Sequence, residues 1–157
     1  MEKIVFVCLG NICRSPMAEF VMKNLVLKSE HESEFIIESR ATSSWEHGNP
    51  IHSGTQEKLR EQGIDFDIHK SSQKITSTDF YAFDKIIAMD ESNLKNLREM
   101  APAGTAHKIE MLLDNDVPDP WFTGDFQETY QLVNAGCQKL FANCKMKLAT
   151  LSQAKNI

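Results

Sequence analysis

The apolar run Ile4-Val5-Phe6-Val7 leads straight into Cys8, and Ser15-Pro16 follows a few residues later. A short unbroken run of β-branched and aromatic residues reads as a strand buried on both faces, the kind found in parallel sheets. Serine is a preferred N-cap, and proline suits the first helical position because its missing N–H would have no partner there. Cys8-Leu9-Gly10-Asn11-Ile12-Cys13-Arg14 is therefore a loop between the end of a strand and the start of a helix. A strand buried on both faces needs helices to cover it, so this one unit commits the chain to the α/β class.

Similar apolar runs recur at Lys3–Cys8, Phe35–Ser39, Lys85–Met89 and His107–Leu112. Helical periodicity fills the gaps. Met17, Phe20, Val21 and Leu25 mark a helix over Pro16–Lys28; others cover Ile51–Gln62, Glu91–Met100 and Asp125–Leu151, with a short turn over Thr76–Phe83. Alternating strands and helices predict a three-layer αβα sandwich around a four-stranded parallel sheet, as one domain over residues 1–157. In such sheets ligands bind beyond the carboxyl ends of the strands, which is where Cys8 falls.

The loop has the chemistry of an anion cradle. Successive N–H groups can curl into a nest, and the helix dipole adds positive potential. Gly10 gives the backbone freedom to curl. Arg14 supplies a planar fork that matches two phosphate oxygens. The same field favours a Cys8 thiolate, the nucleophilic form, and the Ser15 hydroxyl is placed to donate to that sulfur and to stabilise it as a leaving group. A tetrahedral oxyanion would rest on sulfur. A Walker A loop differs, since it needs a lysine and carries no nucleophile.

The loop Cys8-Leu9-Gly10-Asn11-Ile12-Cys13-Arg14-Ser15-Pro16 resembles the signature of the low-molecular-weight protein tyrosine phosphatases, and the likeness extends over nearly the whole chain in length and element order. It implies their four-stranded αβα fold and metal-free, cofactor-free hydrolysis of phosphomonoesters through a phosphocysteine. Cys8 becomes the nucleophile and Arg14 the phosphate clamp. Leu9, Gly10, Asn11, Ile12, Cys13 and Ser15 form the substrate loop, with Asn11 and Ser15 as organisers and Cys13 as redox partner of Cys8.

Departure of an alkoxide or phenoxide needs a proton, so a carboxylic acid must face Cys8 from a loop. Asp119 stands between Pro118 and Pro120, in a segment expected to be neither helix nor central strand. Gly124 gives a bend, and Asp125 with Glu128 reads as a capping box for the last helix. Asp119 resembles the family's acid, which protonates the leaving oxygen and then activates water. Trp121 and Phe122, with Trp45 opposite, resemble the aromatic walls of a pocket that stacks a phenyl ring. Ser39, expected to end the second strand, resembles the serine that supports the loop asparagine. The family's loop network often includes a histidine before the third strand; here Lys70 takes that place, with His69 one residue away. Asp90 reads as a helix N-cap.

Seventeen basic and 22 acidic residues give a formal charge of -5, which argues against a nucleic-acid binder. No apolar run approaches the roughly 20 residues that span a bilayer, and the start shows no signal peptide. A cytoplasmic protein with reduced cysteines is expected, free of membrane, as a monomer or weak dimer. The five histidines show no paired ligand spacing, so no metal is expected. The expected function is hydrolysis of phosphotyrosine in protein substrates and of small aryl phosphates, in a site that binds phosphate-like oxyanions. Two alternatives are a thioredoxin-coupled arsenate reductase on the same fold and a non-catalytic phospho-ligand binder. The reductase needs a thiol relay, for which Cys137 and Cys144 are the candidates. Their stripe with Leu140, Phe141, Leu148 and Leu151 reads instead as the core face of a helix.

Overall fold

The structure, a computed structural model, describes residues 1–155; positions 156 and 157 of the expected domain lie outside the described residues. Four strands, β1 (Glu2–Cys8), β2 (Phe35–Ala41), β3 (Lys85–Ala88) and β4 (Ile109–Met111), pair in parallel in the order β2-β1-β3-β4. Among the described residues six α-helices accompany them: α1 (Arg14–Lys28), α2 (Ser53–Glu61), α3 (Ser77–Ala82), α4 (Glu91–Met100), α5 (Pro120–Thr123) and α6 (Phe126–Lys155).

The two-residue period of β1 divides the core. Ile4, Phe6 and Cys8 face one way, into a cluster with Met17 and Val21 of α1 and Val133 and Cys137 of α6. Val5 and Val7 face the other way, against Phe80 of α3 and Leu97 of α4. All of these β1 side chains are buried, and Ile4, Val5, Phe6 and Val7 each contribute about 1.5–3 kcal/mol through burial of apolar area. Chain order reverses across β1, with β2 on one side and β3 on the other. The crevice at the carboxyl ends of β1 and β3 is the switch point where such sheets hold ligands.

Several element ends shift by one to four residues, and four local features near the site differ from expectation. Helix α1 begins at Arg14 with Cys13 in the N-cap position and no side-chain cap, so Ser15 lies within the first turn. The Ser15 hydroxyl is taken up by Cys8 and Asn11 instead, and Pro16 is tolerated because first-turn N–H groups have no intrahelical acceptor. Strand β2 runs past Ser39 to Ala41, because Arg40 and Ala41 stay in register with Val7 and Cys8 of β1. Ser39 is thus inside the strand, opposite Phe6. The segment after Asp119 is not free of helix: Pro120–Thr123 makes one turn with Asp119 as its N-cap. In the expected capping box, Asp125 accepts from Glu128 N–H, but Asp125 N–H donates to Thr123 Oγ1 rather than to Glu128.

Cys137, Leu140, Phe141 and Cys144 are buried on α6 as the stripe predicted, while Leu151 is exposed. A helix of 30 residues is about 45 Å long, and it outruns β1, whose seven residues span about 23 Å. Among the described residues, no helix is long and apolar enough to cross a membrane.

Candidate active site

The loop from Cys8 to Arg14 is held open by its surroundings. Its carbonyls point outward to named donors: Leu9 O accepts from Ser43 N–H and Oγ, Gly10 O from Ser72 Oγ, Ile12 O from His52 N–H, and Cys13 O from Thr55 Oγ1. In a planar trans peptide the carbonyl and the following N–H point opposite ways. The N–H groups of Gly10, Asn11 and Cys13 are therefore turned toward the concave side. Asn11 N–H shows the result directly, donating to Cys8 Sγ at 3.3 Å.

The left-handed turn this requires falls on Asn11, at φ 56°, rather than on Gly10. Asparagine accepts that conformation better than most residues, and both ends of its amide are bonded. Oδ1 accepts from Gln73 N–H at 3.2 Å, and Nδ2 donates to Ser15 Oγ at 2.8 Å and Ser39 Oγ at 3.0 Å. Gly10 serves by having no side chain, since a Cβ there would stand 3.3 Å from Glu46 Cγ.

Cys8 is 3% exposed at the floor, with Ser15 Oγ 3.1 Å from its sulfur. Arg14 is buried beside it. Its Nη1 donates to Asp90 Oδ2 at 2.6 Å and to Val117 O at 2.9 Å, and its Nη2 lies 3.4 Å from Asp119 Oδ2. Among the described residues, its buried Nε has no partner. Burial acts to lower the Arg14 pKa, but Cys8, Asp90 and Asp119 outweigh it and the net shift is upward. The guanidinium is permanently charged, and its long edge is fixed by two acceptors. Three of its five N–H groups have acceptors, so Nε–H and one Nη2–H are left for an incoming anion.

Asp119 reaches the same space from across the cleft. Its Oδ1 caps α5 by accepting from Trp121 N–H at 3.0 Å. The loop before it is anchored by Val117 N–H donating to Met89 O, and by Asp116, which accepts from Glu91 N–H at the start of α4. The cleft is lined by the Cys8–Arg14 loop, Asp119, Glu46 and the aromatics Trp45, Trp121 and Phe122. All three aromatics are exposed, so they wall the mouth and do not fill the core. His52 steadies one wall. It caps α2, stacks on Phe126 at 5.1 Å and meets Trp121 edge-on at 5.7 Å.

All the expected site residues except Ser39 meet at this cleft or its loop, and Ser39 supports the loop from β2. Several contributors escaped prediction. Asp90 caps α4 through Oδ1 as expected, and its second oxygen holds Arg14. Ser43, Ser72, Thr55 and His52 set the loop's curvature. Their partners are distant in sequence, so no local motif marks them. Cys13 is buried, and its thiol is pushed up to about 12, first by burial and then by the negative charges of Cys8 and Asp119. No group of three or more His, Cys, Asp or Glu side chains among the described residues could hold a metal ion.

A cysteine-floored anion loop on a four-stranded αβα sheet defines a class of phosphate-handling proteins, and comparison with known proteins narrows it. Residues 3–150 match the family model for low molecular weight phosphotyrosine protein phosphatases. The chain is 44% identical over 150 residues to the low molecular weight protein-tyrosine-phosphatase YfkJ of Bacillus subtilis, covering 91% of this chain and 96% of that protein. A Streptococcus pyogenes low molecular weight protein tyrosine phosphatase, SP-PTP, superposes with a TM-score of 0.86 at 57% identity, over 91% of this chain and 93% of that one. Vibrio vulnificus Wzb, solved in complex with benzylphosphonate, superposes with a TM-score of 0.78 at 27% identity, over 88% and 96% of the two chains. This chain belongs to the low molecular weight protein tyrosine phosphatase family.

Proposed function

We propose that this chain hydrolyses phosphotyrosine in protein substrates, and small aryl phosphates, through a phosphocysteine on Cys8. The observation that carries the reading is the buried, unpartnered Nε of Arg14 beside a sulfur that already receives an N–H. A buried donor without a partner is costly unless a ligand completes it. A phosphoryl dianion would do so, and the benzylphosphonate bound to Wzb is an anion of the same kind carrying a phenyl ring.

In the first step the Cys8 thiolate attacks phosphorus in line, a P–S bond forms and the P–O bond to the leaving group breaks. Arg14 and the loop N–H groups carry the charge of the equatorial oxygens. Asp119, in its acid form, gives its proton to the departing oxygen. In the second step water attacks phosphorus, its proton passes to the Asp119 carboxylate, the P–S bond breaks and the thiolate returns. The Ser15 hydroxyl stabilises sulfur as it leaves. Trp45, Trp121 and Phe122 flank the substrate ring, which favours aryl over alkyl esters. The chain acts as a monomer or weak dimer.

The arsenate reductase alternative is disfavoured by its missing relay. Cys137 and Cys144 lie on one continuous helix, and seven residues of helix rise about 10.5 Å, beyond the roughly 7 Å a disulfide tolerates between Cα atoms. Steady-state assay with p-nitrophenyl phosphate and a phosphotyrosine peptide, with EDTA present, tests the reading against an alkyl phosphate control. Turnover of both aryl esters with a far lower kcat/KM for the alkyl ester is expected. Tight phosphate binding without turnover would instead identify a binding module.

A further inference from the structure

Lys70 has no task in the mechanism above, yet its side chain is only 13% exposed and its Nζ donates to Ser39 O at 2.9 Å. The same Nζ stands 3.7 Å from Oε1 of Glu19, which is itself 5% exposed. Charged groups are rarely buried like this unless they are paired.

The hydrogen-bond directions show what the pair supports. Asn11 Oδ1 accepts from Gln73 N–H, so its amide nitrogen must be the group that faces Ser39 and Ser15. Both hydroxyl oxygens therefore accept from Asn11, and each must send its own proton elsewhere. Ser39 sends its proton to Glu19 Oε1 at 2.6 Å, and a carboxylate only accepts. Ser15 is left to donate to Cys8 Sγ at 3.1 Å or, less favourably, to Arg40 O at 3.3 Å. The bonds thus connect the buried Glu19 carboxylate, through Ser39 and Asn11, to the Ser15 hydroxyl beside the Cys8 sulfur, with Asn11 donating to both serines.

We propose that Lys70 is a positioning residue for the phosphate loop: it supplies the buried countercharge to Glu19 and clamps the Ser39 backbone, so that Ser39, Asn11 and Ser15 stay oriented toward Cys8. This rests on Cys8 being the nucleophile. Lys23 also bonds Glu19, at 2.7 Å, but it is 44% exposed and water can take its place. The charged groups facing Lys70 are Glu19 and Lys23 from α1 and Glu38 and Arg40 from β2. Burial lowers the Lys70 pKa below the ordinary lysine value, with Glu19 opposing and Arg40 adding. The clamp therefore loses its charge at a lower pH than a surface lysine would, whereas an arginine in its place keeps the charge throughout.

The test measures kcat and KM for p-nitrophenyl phosphate across pH in the wild type, Lys70→Gln, Lys70→Arg, Ser39→Ala and the Lys70→Gln/Ser39→Ala double variant. Glutamine keeps length and a donor for Ser39 O but removes the charge; Lys70→Met serves if the glutamine variant folds poorly. The proposal expects kcat to fall about tenfold in Lys70→Gln, within the range shared by groups of one network. KM should stay within about twofold, because Arg14 and the loop N–H groups still bind phosphate. Lys70→Arg should recover most of the rate and flatten any alkaline fall, and the double variant should be no slower than Ser39→Ala. Unchanged kcat in Lys70→Gln beside an active wild type would overturn the proposal alone. So would additive losses in the double variant, or failure of arginine to rescue. An inactive wild type would instead overturn the phosphatase reading and this proposal with it.

Discussion

Two pairs of cysteines sit in two regions of this molecule, and all four thiols are free and buried. Cys8 and Cys13 bracket the loop at the carboxyl edge of the sheet. Cys137 and Cys144 lie on α6, inside the apolar core. Burial does not set Cys8 apart from the other three; its polar neighbours do. The Cys8 sulfur receives the Asn11 N–H and has Ser15 Oγ and the Arg14 guanidinium close by. The Cys137 sulfur meets a carbonyl, Ala18 O at 3.7 Å, which can only accept. Desolvation pushes its thiol well above the ordinary range and pushes that of Cys144 to about 11. A buried sulfur surrounded by donors is equipped to carry negative charge, and one surrounded by hydrocarbon is a small core residue.

Substitution breaks the comparison most sharply. Cys8→Ser should reduce hydrolysis of p-nitrophenyl phosphate to background, because a serine hydroxyl is not ionised at neutral pH. Cys137→Ala/Cys144→Ala should keep kcat/KM within about twofold while losing ~1 kcal/mol per deleted sulfur in denaturant unfolding. Thioredoxin-dependent arsenate reduction that depends on Cys137 and Cys144 would reverse the roles assigned to the two pairs.

The acid on the opposite side of the cleft gives the next largest effect. Asp119→Ala should slow esters with poor leaving groups by about 10²–10⁴-fold and p-nitrophenyl phosphate far less. Equal losses on both kinds of ester, measured as kcat/KM, would remove Asp119 from that role.

Oxidation should also separate the regions. Peroxide takes two electrons from the Cys8 thiolate to give a sulfenic acid, and the Cys13 thiol condenses with it, releasing water and forming a disulfide. Peptide mapping should find Cys8 joined to Cys13, with Cys137 and Cys144 still reduced, and dithiothreitol should restore activity. Recovery of Cys13→Ser as complete as that of the wild type after prolonged peroxide would remove Cys13 from a protective role.

The smallest effect is on alkaline stability. The folded state raises Cys144 from 9.0 to about 11 and Cys13 to about 12. It therefore holds protons that the unfolded chain has lost. Stability from these groups is complete below pH 9.0 and is lost as pH rises through about 11 and 12. The Tm should fall by a few degrees across that window, and Cys144→Ala should show the shallower slope. An equal slope would mean that other groups set the alkaline limb.

The regions also differ in how far they were legible in sequence. The α6 stripe is a periodic pattern, and it placed Cys137, Leu140, Phe141 and Cys144 correctly, failing only at Leu151, where the helix outruns the sheet. The strands, the Cys8–Arg14 spacing and the Asp119 prolines are likewise local signals. The loop's shape is not local. Its carbonyls are held by Ser43, Ser72, His52 and Thr55, which come from three separate segments. Asp90 announced its capping role through the residues beside it, but its bond to Arg14 crosses 76 positions. Ser15 had the residue type of an N-cap and lost that role because Cys8 and Asn11 bind its hydroxyl. Glu19 gave no sign, since a glutamate on a helix normally faces water.

The phosphocysteine itself is the most direct test. Asp119→Ala mixed with p-nitrophenyl phosphate should form the phosphoenzyme readily, because the good leaving group needs little acid help, and should hydrolyse it slowly. Acid quenching during turnover, followed by peptide mass spectrometry, should find one phosphoryl group per chain on the peptide containing Cys8 and none on those containing Cys137 or Cys144. A phosphoryl group on any other residue would contradict the assignment of Cys8 as nucleophile. Sustained turnover with no phosphorylated peptide would do the same.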